Sequence, residues 1–379
     1  MNLNYHKMKF LRLAFYVLIA QLVLSGCAGE AVEETSSSSS SEINFDAYVG
    51  RNASTRSSVT DINFLKGGTY NAGFGVFARY KHTKEDNSPL MLMNNEHVYW
   101  KNWKGDRSDW GYENTRYWPN EGFVDFYAFA PRSAEPKLVS PKDNGNYDIE
   151  EPNSTCIFFP SNWSPVDLVW ANAKDLTKTN ERVKFTFNHA LARLSFDITA
   201  NQKLEENGAV IKVKEVRLYG ADENKGIFIM AGYLNLENGD WTPKDNGFSW
   251  FYTWTPEGPK DDIQNDKKDS IVYKLSASQL DHTTPKIKNE DNSYIFIIPQ
   301  PRPANFNLKI TYTVEQGNFK EDVTVRKSLR EFFPDKDPFV EGGKAYVFHL
   351  KLSLDPVNFD VKATVGDWIG NVVNDEITI

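Results

Sequence analysis

From residue 43 to residue 49 the chain alternates strictly. Ile43, Phe45, Ala47 and Val49 fall on one face of an extended segment, and Asn44, Asp46 and Tyr48 fall on the other. A period of two marks a half-buried strand. The same period returns at Phe74–Tyr80, His97–Trp103, Phe123–Ala130, Leu168–Ala173 and Val183–Phe187, between loops rich in Gly, Pro, Asn and Asp. A second series runs through Leu191–Thr199, Val210–Tyr219, Ile227–Leu236, Ile271–Leu275, Tyr294–Ile298, Phe306–Val314, Asp322–Val325, Tyr346–Leu354 and Val357–Val365. Short strands with no amphipathic helix between them predict an all-β, antiparallel sandwich architecture rather than βαβ units. At roughly 150 residues per domain, 379 residues allow two. The strands divide into similar halves near His189, which predicts domains at 43–188 and 189–379.

Composition agrees with this reading. The chain holds 25 Phe, 17 Tyr and 10 Trp, rings that suit a pleated, half-buried surface, and its 18 Pro and 23 Gly interrupt it too often for long helices. The net charge of −8, with basic residues scattered singly, argues against a nucleic-acid partner.

The first residues follow a different rule. After Met8 come Lys9 and Arg12, an apolar stretch from Leu13 to Leu24, and then Ser25, Gly26 and Cys27. Basic start, short apolar core and small residues make a secretion signal over 1–26, too short for a confident membrane span. Leu24-Ser25-Gly26-Cys27 resembles a bacterial lipobox, which predicts lipidation of Cys27, and Met8 is an alternative start to Met1. Loss of residues 1–26 removes Lys7, Lys9 and Arg12 and no acid, so the net charge moves from −8 to −11. Residues 27–42, with Glu30, Glu33, Glu34 and the serine run Ser36–Ser41, have too little apolar surface to fold and predict a flexible tether. Acidic residues behind a lipidated cysteine resemble the surface-export signal of Bacteroidetes lipoproteins, which implies the outer face of the outer membrane.

Signals for catalysis are sparse. His82, His97, His189, His282 and His349 form no metal-ligand pair on one face. Asp261, Asp262, Asn265, Asp266 and Asp269 lack the glycine and terminal glutamate of a calcium loop and read as a solvated loop. There is no nucleophile elbow and no phosphate-cradling glycine loop, and Cys156 has no Cys/His arrangement around it. No cofactor, metal site or enzymatic activity is expected. Two aromatic clusters remain, one comprising Trp100, Trp103, Trp110, Tyr112, Tyr117 and Trp118, the other Phe248, Trp250, Tyr252 and Trp254. Packing between sheets is the favoured reading of both. Trp250, Tyr252 and Trp254 are also the candidate stacking platform of an alternative function, a glycan-binding surface lipoprotein of a nutrient-uptake system.

The order of short motifs resembles the fimbrillin family of Bacteroidales, lipoprotein subunits of type V pili. The matching pieces are the lipobox cysteine, Ile43-Asn44-Phe45 leading to Ser54-Thr55-Arg56, Gly73-Phe74-Gly75-Val76-Phe77, and Tyr117-Trp118-Pro119. They continue with Phe123-Val124-Asp125-Phe126-Tyr127-Ala128, Asp167-Leu168-Val169-Trp170-Ala171, Phe187-Asn188-His189-Ala190-Leu191-Ala192-Arg193-Leu194 and Pro299-Gln300. The resemblance implies two tandem transthyretin-like, Greek-key β-sandwich domains and an assembly role without catalysis. It also implies a trypsin-like protease that cuts after an arginine near the first strand, freeing lipid and strand together. A neighbouring subunit's terminal strand then fills the vacated groove, with main-chain hydrogen bonds for affinity and alternating pockets for register.

On this reading Arg56, among small polar residues, is the processing site and Arg51 the second choice; Ile43, Phe45, Ala47 and Val49 belong to the displaced strand. The candidate donor is the tail 369–379, where Ile369, Val373, Ile377 and Ile379 share a strand face interrupted by Asn371 and Asp375. The expected partners are other pilus subunits, the protease and, before processing, the outer membrane.

Overall fold

The computed structural model describes residues 41–49, 60–67, 72–102, 107–132, 136–140, 151, 153–160, 167–200, 206–221, 228–229, 231–244, 253–255, 258–260, 271–274, 279–280, 295–333, 338–352, 360–367 and 375–377. They are nearly all β. The first half contributes β1 (Phe45–Val49), β2 (Phe74–Lys81), β3 (Leu90–Asn102), β4 (Ser108–Gly111), β5 (Phe123–Ala130), β6 (Cys156–Pro160), β7 (Val169–Leu176) and β8 (Val183–His189). A single helical turn, α1 (Ile62–Leu65), is capped by Asp61, whose carboxylate accepts the Phe64 N–H at 2.7 Å.

Seven of these strands form one sheet in the order β1-β8-β7-β5-β2-β3-β4. The β1–β8 pair is parallel and the other pairs are antiparallel. β8 alternates cleanly, with Val183, Phe185 and Phe187 buried and Lys184, Thr186 and Asn188 exposed. β2 and β5 are buried on both faces: Phe74, Val76, Phe126 and Ala128 enter one core, and Phe77, Tyr127 and Phe129 enter another. The first core also takes in Ile43, Phe45, Trp110, Tyr112 and Trp118, so most of the first aromatic cluster is interior packing. Tyr117 is exposed, and Trp103 lies outside the described residues.

The period-two reading started the third strand at His97, whereas the strand begins at Leu90. A bulge explains the difference. Asn95 sits at φ 50, in the left-handed region, and the register with β2 shifts between Val76 and Ala78. The alternation upstream is therefore out of phase with the alternation downstream.

At Ala190 and Leu191 the chain leaves the first sheet. It continues as β9 (Ala192–Ala200), β10 (Val210–Tyr219), β11 (Ala231–Asn235), β12 (Trp241–Pro243), β13 (Thr253–Thr255), β14 (Gly258–Lys260), β15 (Ile271–Lys274) and β16 (Gln279–Leu280). The remaining strands are β17 (Ile295–Ile297), β18 (Asn307–Gln316), β19 (Phe319–Ser328), β20 (Lys344–Leu352), β21 (Asp360–Asp367) and β22 (Asp375–Ile377). One sheet runs β14-β13-β15-β10-β18-β19, with β16 also on β10, and a second runs β17-β9-β20-β21-β22. Their facing residues share a core: Ile211, Val213, Leu308, Ile310 and Tyr312 from one, and Leu194, Phe196, Phe348 and Leu350 from the other. That is a sandwich.

A third sheet, β12-β11-β6, joins the halves, because β6 pairs with β11 from Cys156↔Asn235 to Pro160↔Ala231. Behind it Phe77, Phe129, Leu168, Leu234, Leu236, Phe296 and Ile298 form one apolar cluster drawn from both halves. The Trp241 indole N–H donates to the Ala190 carbonyl at 2.8 Å, and Asn172 Nδ2 donates to the Leu236 carbonyl at 3.0 Å. Gly239, at φ +81, is required here: an added Cβ would lie 2.3 Å from the Trp170 ring. Leu234→Ala, at a fully buried position of this cluster, is expected to cost about 2–5 kcal/mol in denaturant unfolding and to shift both halves together. Separate transitions, with only the second half destabilised, would show that the cluster does not couple them.

Candidate functional site

β1 forms with β8 the one parallel pair among the described strands of the first sheet, and it lies at the end of the strand order. Its alternation explains its seat: Ile43 (0% exposed), Phe45 (1%) and Val49 (2%) point into the core, while Tyr48 (52%) faces out. Phe45 stacks on Phe185 at 5.7 Å between centroids and meets Tyr112 at 5.6 Å, Phe126 at 5.8 Å and Phe74 at 6.4 Å. Burying Ile43, Phe45 and Val49 contributes roughly 1.5–3 kcal/mol each, so a channel left empty is unfavourable by several kcal/mol.

The polar contacts fix register. The Val183 N–H donates to the Asn44 carbonyl at 2.8 Å, the Ile43 N–H to the Arg116 carbonyl at 2.9 Å, and the Tyr112 hydroxyl to the Ile43 carbonyl at 2.8 Å. Arg182, one residue before β8, acts as a clamp. Its Nη1 donates to the Phe45 carbonyl at 2.8 Å, to Asp109 Oδ1 at 2.9 Å and to Asp46 Oδ1 at 3.4 Å, and its Nη2 donates to Asp109 Oδ2. Asp109 belongs to β4, so the guanidinium ties together the two ends of the strand order. A cavity of about 690 Å³ lies along this flank, lined by Asn44, Asp46, Trp100, Asp109, Trp110 and Arg182 among others. One flank of β1 is thus backbone-paired with β8, while the other borders this cavity and, just before β1, is paired through the Glu42–Tyr117 bridge and the Ile43 bond to Arg116.

On the far side of residues 51–59 the chain is pinned to the body of the sheet. The Thr60 N–H donates to Asp167 Oδ2 at 2.7 Å, and its hydroxyl donates to the Asp167 carbonyl at 2.5 Å. Asp167 Oδ1 accepts from His189 Nδ1 at 2.9 Å, with both side chains buried. Burial pushes the Asp167 carboxyl above its usual range, against the opposing pull of His189. The chain therefore changes from a strand in an edge channel to an anchored segment between Val49 and Thr60, the interval that contains Arg51 and Arg56.

Cys27, Arg51, Arg56, Trp250, Tyr252, Ile369, Val373 and Ile379 lie outside the described residues. Of the remaining candidates, Ile43, Phe45, Ala47 and Val49 come together in the channel. Trp254 lies in β13, paired with Pro259 and Tyr273. Ile377 ends β22, opposite Ala363 of β21. Sequence reasoning missed Arg182, Asp109, Tyr112, Asp167 and His189 as parts of one arrangement. Their signal was available for Asp167 and His189, ionisable residues inside otherwise apolar strings. Among the described residues no cluster of His, Cys, Asp and Glu is arranged to hold a metal, and no helix is long and apolar enough to cross a membrane.

Residues 42–368 match the model of the fimbrillin-like family. A fimbrium subunit, Fim1C, of Phocaeicola vulgatus is 23% identical, over 93% of this chain and 95% of its own. The crystal structure of a fimbrial protein from Bacteroides vulgatus superposes with a TM-score of 0.59 and 20% identity, covering 86% of this chain and 99% of that one, which shows a shared fold.

Burial raises the Tyr112 phenol from 10.0 to about 12, while its hydrogen bond with the Arg116 N–H pulls the other way. Because the folded value exceeds the unfolded one, the stability carried by the neutral phenol is complete below pH 10. It is lost as pH rises through about 12. The stability difference between the unsubstituted protein and Tyr112→Phe, followed by thermal unfolding from pH 9 to 12, is expected to shift in favour of the variant. A pH-independent difference would mean that the phenol is not held as described.

Proposed function

Because the chain belongs to the fimbrillin-like family, we propose that it is a structural pilus subunit, exported as a lipoprotein through Cys27 and assembled by exchange of its first strand. The observation that carries this reading is the seat of β1: buried by its apolar face, paired along its length with β8 at the end of the strand order, and joined to the anchored Thr60 by the segment containing Arg51 and Arg56. A trypsin-like protease cutting after Arg56 would separate the lipid anchor and β1 from the rest without touching the Asp167–His189 anchor. The remaining subunit would present an apolar channel beside β8, and a strand from the C-terminal end of a neighbouring subunit would restore its burial and its main-chain hydrogen bonds. Until the cut, β1 shields that channel and protects the subunit from premature edge pairing. Before processing the protein would sit at the outer membrane, and afterwards in the fimbrium.

N-terminal sequencing of protein sheared from cells is expected to begin at Ser57, and Arg56→Ala is expected to shift the start or abolish filaments in electron micrographs. A mature form that still begins at Cys27 in intact filaments would overturn the processing step.

A further inference from the structure

The second half carries its charges unevenly. On β10, β18 and β19 the side chains of Val216, Leu218, Leu308, Ile310 and Val325 enter the core, so the residues between them face the other way. Register sets Arg217 directly opposite Lys309, and Lys309 directly opposite Arg326. Three cations therefore stand side by side in one row across three strands. Neighbouring strands lie about 4.8 Å apart, which makes the row about 10 Å long. Like charges directly opposite one another destabilise a sheet, and this row runs against the trend of a chain whose net charge is −8.

Toward the β18–β19 turn the same face is arranged differently. Lys212 Nζ lies 2.6 Å from Glu315 Oε2, Lys320 Nζ lies 3.0 Å from Glu315 Oε1, and Lys214 Nζ lies 2.6 Å from Asp322 Oδ2. There each cation is set beside an acid. In the Arg217 row, cation is set beside cation, and β15 places Val272 at the row's other end. The adjoining row is Glu215, Thr311 and Thr324, with the two threonine hydroxyls 3.3 Å apart.

We propose that the row Arg217, Lys309 and Arg326 is a binding site for an acidic polysaccharide, a linear sugar polymer that carries sulfate or carboxylate groups. The inference is independent of strand exchange and of processing. Sulfate and carboxylate oxygens accept charge-assisted hydrogen bonds from guanidinium and ammonium groups, and an anionic chain laid along the row offsets the repulsion among the three cations. Thr311 and Thr324 place hydroxyls beside the row, able to donate to and accept from the hydroxyls of a sugar. The side chains themselves favour a glycan over a protein. Across β10, β18 and β19 these two rows hold no aromatic and no large aliphatic residue, the anchors that supply most protein–protein affinity. The same lack disfavours a nucleic acid strand, which would seek a ring for its bases to stack on.

Heparin, which bears both groups, is the probe. The purified full chain is expected to bind immobilised heparin with an affinity that falls as salt rises. Lys309→Gln combined with Arg326→Gln leaves the half-buried Arg217 in place. It is expected to weaken binding about tenfold at about 0.15 M salt, with thermal unfolding unchanged. Arg326→Gln alone, at an exposed position of the edge strand, is expected to weaken it less. Lys101→Gln combined with Lys178→Gln removes the same charge from the first half and is expected to leave binding as it was. No binding by the unsubstituted chain, full binding by the Lys309/Arg326 variant, or an equal loss in the Lys101/Lys178 variant would overturn the site. Displacement of heparin by hyaluronan would assign recognition to carboxylates, and displacement by dextran sulfate alone would assign it to sulfates. Tighter binding of poly-glutamate or of an oligonucleotide than of heparin would overturn the assignment to a glycan.

Discussion

The ring of Phe45 is enclosed by Phe74, Tyr112, Phe126 and Phe185, side chains that come from four separated stretches of the first half. The centre of that core is therefore supplied by a strand at the sheet's end. Such an arrangement places a large share of apolar burial on an element with a single strand neighbour in the sheet. Close packing means that those rings cannot collapse to fill the space without distorting the strands that carry them. The first half is consequently complete only when some strand occupies the channel.

The directional contacts around β1 make the channel selective. Apolar burial alone would accept any alternating segment, because the hydrophobic effect is non-directional. Arg182 and Tyr112 add fixed positions: one reaches a carbonyl and a carboxylate, and the other a carbonyl. Arg182 is about one-third exposed, so its charge contacts are worth little as stability and more as a means of setting register. The Thr60–Asp167–His189 group works differently, since its carboxylate and imidazole are wholly enclosed. Removing one partner there would leave a buried polar group unsatisfied, which is a strong reason for that segment to stay in place.

How much of this was readable in the sequence follows from range. β1 and β8 were legible because each carries its own alternation from end to end, Ile43 to Val49 and Val183 to Phe187. β10 was legible too, its observed bounds being those of the pattern, although its register with β18 shifts between Val213 and Glu215. β3 was partly hidden because Asn95 changes phase in mid-strand. β6, with Ile157, Phe158 and Phe159 in succession, has no period to read and becomes a strand through pairing with β11 (Ala231–Asn235), 71 to 79 residues further along the chain. The site itself was half legible: its apolar residues show in the pattern, while Arg182 to Asp109 and Asp167 to Thr60 are long-range polar contacts that no local period encodes.

The small sheet β12-β11-β6 has a mechanical meaning. Were subunits joined end to end as proposed, through the channel of the first half, tension would cross each subunit from the first core to the second. If only Ala190 and Leu191 spanned that crossing, each subunit would bend there like a bead on a string. The β6–β11 ladder, the shared apolar cluster and the Trp241 bond to Ala190 turn the crossing into a braced strut. Pulling then loads several hydrogen bonds side by side rather than one peptide segment, and stretches the subunit little before it yields.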